Sequence, residues 1–124
     1  MGPVQGPATQ EAEELLSRID EEGAARALEL LASLEPDFPN QFEVVAGLGF
    51  AHSLQGDCSL GVGYLEKAMT LRPPDTALLN VLGGCYQGLG DVQKASGAFE
   101  RSLSLNPDQQ QVKDRLAALQ QTND

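Results

Sequence analysis

A chain of 124 residues amounts to about one domain. Eighteen Asp and Glu against eight Lys and Arg give a formal net charge of −10, which argues against nucleic acid and against an anionic membrane surface as partners, since both call for a surplus of cations. Hydrophobic residues make up 41% but aromatic residues only 5%, with no Trp, so a core is expected and must be built from Leu, Ala and Val.

The start, Met1 to Pro7, has no basic region followed by an apolar run, and Gly2 is followed by Pro3, so neither a signal peptide nor a myristoylation site is read there. Residues 1–8 are expected to be a disordered tail. The first predicted helix spans about 10–20 and the second about 24–34, in a stretch where nine acidic residues face only Arg18 and Arg26. That stretch reads as a solvated acidic face, or as a surface that attracts a basic partner. Pro39 closes it, and Asn40-x-x-Glu43 reads as a capping box for a third helix over 41–55. Gly56-Asp57 ends that helix and starts a fourth over 58–71, with Gly as left-handed cap and Asp as acceptor for the free N–H groups of the next turn. Pro73-Pro74 stops it. A fifth helix over 75–89 carries Ala77, Leu78, Leu79, Val81, Leu82, Tyr86 and Leu89 at helical spacing. Gly90-Asp91 repeats the turn, and a sixth helix over 92–105 carries Val92, Ala95, Ala98, Phe99, Leu103 and Leu105 before Pro107. A seventh, over 109–121, opens on Asp108-x-x-Gln111 and sets Val112, Leu116 and Leu119 on one side, with Lys113, Asp114 and Arg115 toward water.

These elements repeat at 34 residues. Leu48-Gly49 falls on Leu82-Gly83, Gly56-Asp57 on Gly90-Asp91, Leu65 on Phe99, Leu71 on Leu105, and Arg72-Pro73 on Asn106-Pro107. A further step back reaches Pro39, with Ala27 and Leu31 in phase. Leu-Gly-x-x-Tyr, then Gly-Asp, then Ala-x-x-x-Phe, then Asn-Pro, at this period, resembles the tetratricopeptide repeat (TPR). The repeat-defining residues are Leu48, Gly49, Gly56, Ala68, Pro73, Leu82, Gly83, Tyr86, Gly90, Ala95, Phe99 and Pro107. The departures are His52 where Tyr86 stands one repeat later, Gly61 for Ala95, Ser102 for Ala68, and a first unit without the Leu-Gly pair. The resemblance implies an all-α fold, a right-handed superhelix of antiparallel helix pairs with about seven helices. It implies a single domain over 9–121, with repeats at about 8–41, 42–75 and 76–109 and a capping helix at 109–121. Small residues at Gly49, Gly83 and Ala95 let paired helices approach closely, and the last helix covers apolar surface that a terminal repeat leaves open.

Catalytic signatures do not emerge. The single histidine, His52, sits at a packing position, and one imidazole cannot assemble a metal site. Cys85 reads as a small core residue. Cys58, at a helix start, is the one candidate for a reactive thiol, opposed by Asp57. Two cysteines do not make a disulfide framework, and no apolar run approaches the ~18 residues of a membrane span, so a cytoplasmic protein without cofactor is expected. The glycines sit within helix patterns and form no phosphate loop.

In TPR proteins the first helix of each pair lines a concave groove. The resemblance places Glu43, Ala46, Gly47, Phe50, Ser53 and Leu54 there, followed by Ala77, Asn80, Val81, Gly84 and Gln87, with Ala12, Glu13, Leu16 and Ile19 in the weak first unit. A known TPR subtype grips a chaperone's terminal carboxylate with Lys, Asn and Arg. At those places this chain has Ala12, Leu16, Gly47, Ala77 and Val81, which cannot hold a carboxylate, and a frame shifted by one repeat supplies only Arg115. What remains is a groove of small and apolar residues suited to a bulky apolar segment, with Phe50 and Leu54 as anchors and Asn80 and Gln87 as backbone partners. The expected function is a non-enzymatic adaptor or scaffold that binds a peptide or helical segment of a protein partner. The alternatives are a small acidic secretion-type TPR chaperone that shields an apolar client segment, a self-assembling scaffold, and a thiol enzyme using Cys58.

Overall fold

The computed structural model describes residues 21–122 and divides the chain into two compact units, residues 1–73 and 74–124. Six α-helices fall among the described residues: α1 Glu21–Leu34, α2 Phe42–Leu54, α3 Cys58–Leu71, α4 Thr76–Gly88, α5 Val92–Leu105 and α6 Gln110–Thr122. The fold is all-α. Predicted and observed boundaries agree to one residue, except that α1 starts three residues before the predicted 24. The predicted tail 1–8 and helix 10–20 lie outside the described residues.

In the first unit, α2 is packed from two sides. Its Val44 and Leu48 meet Ala27 and Leu31 of α1 in a core that Leu28, Leu30, Leu34, Phe38 and Tyr64 complete. Its Gly49 lies against Leu65 of α3, where an added methyl would come within 2.7 Å of the leucine side chain. Every residue from Val44 to Gly49 is buried, as expected of a helix that is apolar around its whole circumference. Gly61, where the next repeat has Ala95, leaves room for Ser53, whose hydroxyl donates to the Gly49 carbonyl at 2.7 Å. That departure from the repeat is therefore a local exchange of volume.

The turn between α2 and α3 needs its glycine. Gly56 has φ +86°, its N–H donates to Ser53 O, and Asp57 N–H donates to His52 O at 2.8 Å, closing the helix end in the left-handed cap conformation. Asp57 then caps α3 by accepting from Leu60 N. The same device recurs at Gly90 (φ +84°) and Asp91, which accepts from Lys94 N. Asp75 caps α4 in the same way, accepting from Leu78 N at 2.9 Å, although no sequence pattern above marked it. The expected Asn40-x-x-Glu43 box is not formed. The cap residue of α2 is Gln41, which makes no side-chain cap bond and donates its amide to Glu43 instead.

In the second unit, Gly83 of α4 lies against the ring of Phe99 on α5, 34 residues on from the Gly49–Leu65 contact. Phe99 is fully buried and shares its core with Ala95, Val112 and Leu119, flanked by Tyr86, Val92, Leu103 and Leu116. The predicted apolar side of α6 is thus the side that packs on α5. Ser102, buried where the previous repeat has Ala68, accepts from the Gln109 amide at 3.0 Å. Gln109 takes the part expected of Asp108-x-x-Gln111: it ties the start of α6 to the end of α5 with further donations to Ser102 O and Asn106 O.

Candidate functional site

The six groove candidates of the first unit lie on α2, but they do not share one surface. Gly47 is turned to α1, with Leu31 filling the space a side chain would need. Ser53 is turned to α3 through its bond to Gly49 O and its contact with Gly61. Ala46, Phe50 and Leu54, each four residues from the last, share the remaining face with Glu43, as helical geometry requires. Ala46 is buried, while Phe50, Leu54 and Glu43 are half-buried. The candidates of the weak first unit, Ala12, Glu13, Leu16 and Ile19, lie outside the described residues.

Glu43 is held from three sides. Its carboxylate accepts from the Gln41 amide at 2.8 Å and from Arg72 at 2.7 Å, and Arg72 also lies 4.6 Å from the centre of the Phe42 ring. Burial alone would raise its pKa. The hydrogen bonds from Gln41, its own backbone N–H and Arg72, with the arginine's charge, outweigh that and hold the carboxyl below its ordinary value. Glu43 and Arg72 thereby clamp the start of α2 to the end of α3. Lys67 ties the same end of α3 to the α1–α2 loop, donating to Pro39 O at 2.7 Å.

His52 occupies the place of Tyr86 and stacks on Tyr64 of α3, ring centres 5.6 Å apart and 4° from parallel. Tyr64 donates its hydroxyl to Glu35, and burial together with that carboxylate raises the phenol's pKa. On the outer side of α3, Ser59, Leu60, Gly63, Tyr64 and Lys67 line an open recess of about 260 Å³.

The five candidates of the second unit lie on α4. Ala77 is exposed and Val81 half-buried. The other three are met by α6 or by the residue before it. Asn80 donates its amide to Gln109 Oε1 at 2.9 Å, while its own carbonyl oxygen is buried and accepts no hydrogen bond. Gln87 accepts from Arg115 at 3.1 Å. Gly84 faces the same guanidinium, 3.2 Å from where its Cβ would be, and Arg115 also lies 5.0 Å from the centre of the Phe99 ring. Arg115 and Gln109 were not among the predicted site residues. The signal available was register: Arg115 stands 34 residues after Val81 and 68 after Gly47, on the groove-lining positions.

Both cysteines are disulfide-bonded and no free thiol remains among the described residues, which removes the expectation of a thiol enzyme using Cys58. Among the described residues no group of three or more His, Cys, Asp or Glu is placed to hold a metal ion, and no helix is long and apolar enough to cross a membrane.

No protein-family model matches the sequence, and no curated protein matches it. Solved structures do. The TPR domain of Sgt2 from Aspergillus fumigatus superposes with a TM-score of 0.75 over 98% of this chain and 84% of its own, at 15% identity. The chain folds as a tetratricopeptide-repeat protein. The first TPR domain of Spaghetti (RPAP3), bound to the HSP90 peptide SRMEEVD, matches with a TM-score of 0.72 over 92% of this chain and 96% of that one, at 16% identity. The D159K mutant of MamA is 26% identical with a TM-score of 0.73 over 79% of this chain, which spans 57% of the MamA chain.

Proposed function

We propose that this TPR protein is a non-enzymatic interaction module that binds a peptide or helical segment of a protein partner on the first helices of its repeats. The observation that carries the reading is on α2. Its whole circumference is apolar and most of it is consumed by α1 and α3, yet Phe50 and Leu54 keep part of their apolar surface on the one face those helices leave. Half-buried apolar side chains that keep surface open to water can serve as docking anchors. The small or apolar character of Ala77 and Val81 favours an apolar segment over a terminal carboxylate. The RPAP3 domain, which has this fold and holds a bound peptide, supports the reading by analogy. The net charge of −10 favours a basic or neutral partner and disfavours nucleic acid.

Phe50→Ala tests it. Loss of an apolar anchor is expected to weaken capture of the partner at least ~10-fold, with the helical circular dichroism signal unchanged. Unchanged capture, or collapse of the helical signal, would make Phe50 a core residue and remove the α2 face as the binding surface.

A further inference from the structure

On α4 the position of Phe50 is taken by Gly84, and the position of Leu54 by Gly88. The bulk that α2 carries on this face is missing on α4, and α6 supplies its own: Arg115 lies over Gly84 and bonds Gln87, and Gln109 takes the amide of Asn80. Three of the five α4 residues that the resemblance assigns to a guest, Asn80, Gly84 and Gln87, are therefore met by α6 or the residue before it. We propose that α6 is the resident, displaceable occupant of a helix-binding face built by α4 and α5, and that the partner is an amphipathic helix carrying the pattern of residues 109–119, Gln-x-x-Val-x-x-Arg-Leu-x-x-Leu, with its one arginine set over Gly84. This deepens the interaction-module reading and rests on it.

Three observations carry the inference. The hold of α6 is thin. Of the side chains it presents, Val112 and Leu119 are buried and Leu116 partly so, while Arg115 is exposed to water along with Gln110, Gln111, Lys113, Asp114, Ala117, Ala118, Gln120 and Gln121. Segments with so few buried contacts open at low free energy. The seat is also imperfectly filled, because the Asn80 carbonyl oxygen is buried without a donor, so a guest helix that offers one gains an interaction α6 lacks. Finally, the seat selects a cation. The arginine over Gly84 rests on the Phe99 ring and on the Gln87 carbonyl oxygen, a combination of π-face and neutral acceptor that an acidic side chain cannot use.

The test uses the full chain and a fluorescein-labelled peptide with the sequence of residues 107–122. An occupied seat lowers apparent affinity by the fraction of chains that are open, so the doubly substituted chain Arg115→Ala/Leu119→Ala, whose own α6 is weakened, should bind the peptide at least ~10-fold more tightly than the unaltered chain, with a scrambled peptide binding neither. Amide hydrogen exchange on the unaltered chain gives a reading that needs no variant: residues 113–119 should exchange at least ~10-fold faster than the buried turns of α5. Equal peptide affinity in the two chains, or equal protection of α6 and α5, overturns the proposal. Dimers that form with rising concentration through exchange of α6 would also overturn it, by making a second copy the occupant. If α6 is as protected as α5 while Phe50→Ala still abolishes capture, this inference alone fails. If capture is indifferent to Phe50, the interaction-module reading on α2 fails whatever α6 does.

Discussion

Helices α2 and α4 occupy the same place in successive repeats and solve the same packing problem in the same way. Gly49 receives Leu65, Gly83 receives Phe99, and each helix ends on a left-handed glycine followed by a capping aspartate. Their outer faces diverge. α2 carries Phe50 and Leu54; α4 carries Gly84 and Gly88, and its face is met by Arg115 of α6 and by Gln109 just before that helix. The lesson is that the positions between helices are fixed by volume, whereas the positions one residue further around are free to differ.

Substitutions that touch the shared part of the comparison should have the largest effects. Phe99→Ala empties the middle of the second unit's core and is expected to cost about 3–5 kcal/mol of stability, and Leu65→Ala about 2–5 kcal/mol in the first unit, both measurable by urea denaturation. Near-equal losses would confirm that the two contacts are counterparts; a negligible loss at either would break the equivalence. Adding one methyl at Gly83, 2.7 Å from the Phe99 ring, should cost about 1–3 kcal/mol by overpacking. The same change at Gly88, with open space around it, should instead stabilise by about 0.5–1 kcal/mol, because Ala restricts the unfolded chain and favours the helix. Opposite signs at two glycines of one helix would separate its packed side from its open side.

The smallest effect belongs to the Glu43–Arg72 clamp, which has no counterpart in the next repeat, where Ala77 and Asn106 stand in register. Arg72 is about half exposed, so Glu43→Gln should cost only about 0.2–1 kcal/mol. The sign with pH is fixed by the lowered carboxyl pKa. The clamp contributes fully above the ordinary carboxylate range, and its contribution is lost as the pH falls through the lowered value. Denaturation of the Glu43→Gln variant and of the unaltered chain should therefore converge in acid and diverge at neutral pH. A difference that persists in acid would assign Glu43 a packing role instead.

The architecture was legible because the residues that set it are punctuation: glycines that need positive φ, aspartates that cap, prolines that stop helices, and a 34-residue register that aligns them. The departures from the repeat were legible as departures but not as solutions. Gly61 makes sense only beside Ser53, Ser102 only beside Gln109, and His52 only beside Tyr64, because each compensates for a residue on another element. The candidate site was half legible. Periodicity put Ala46, Phe50 and Leu54 on one face. It also admitted Gly47 and Ser53, which stand at the edges of that face and are claimed by α1 and α3. The roles of Arg115 and Gln109 depend on which side α6 turns toward α4, and an apolar pattern of three residues, Val112, Leu116 and Leu119, gives only the side it turns toward α5.

The most direct test of an interaction surface on the first helices of the repeats is to map the partner's footprint. The segment recovered by capture on the unaltered chain would be titrated into the isotope-labelled protein while the amide resonances are followed by NMR. The account predicts that the shifts concentrate on α2 around Ala46, Phe50 and Leu54. Shifts gathered instead on α3, around Ser59, Leu60 and Gly63, with α2 silent, would contradict it.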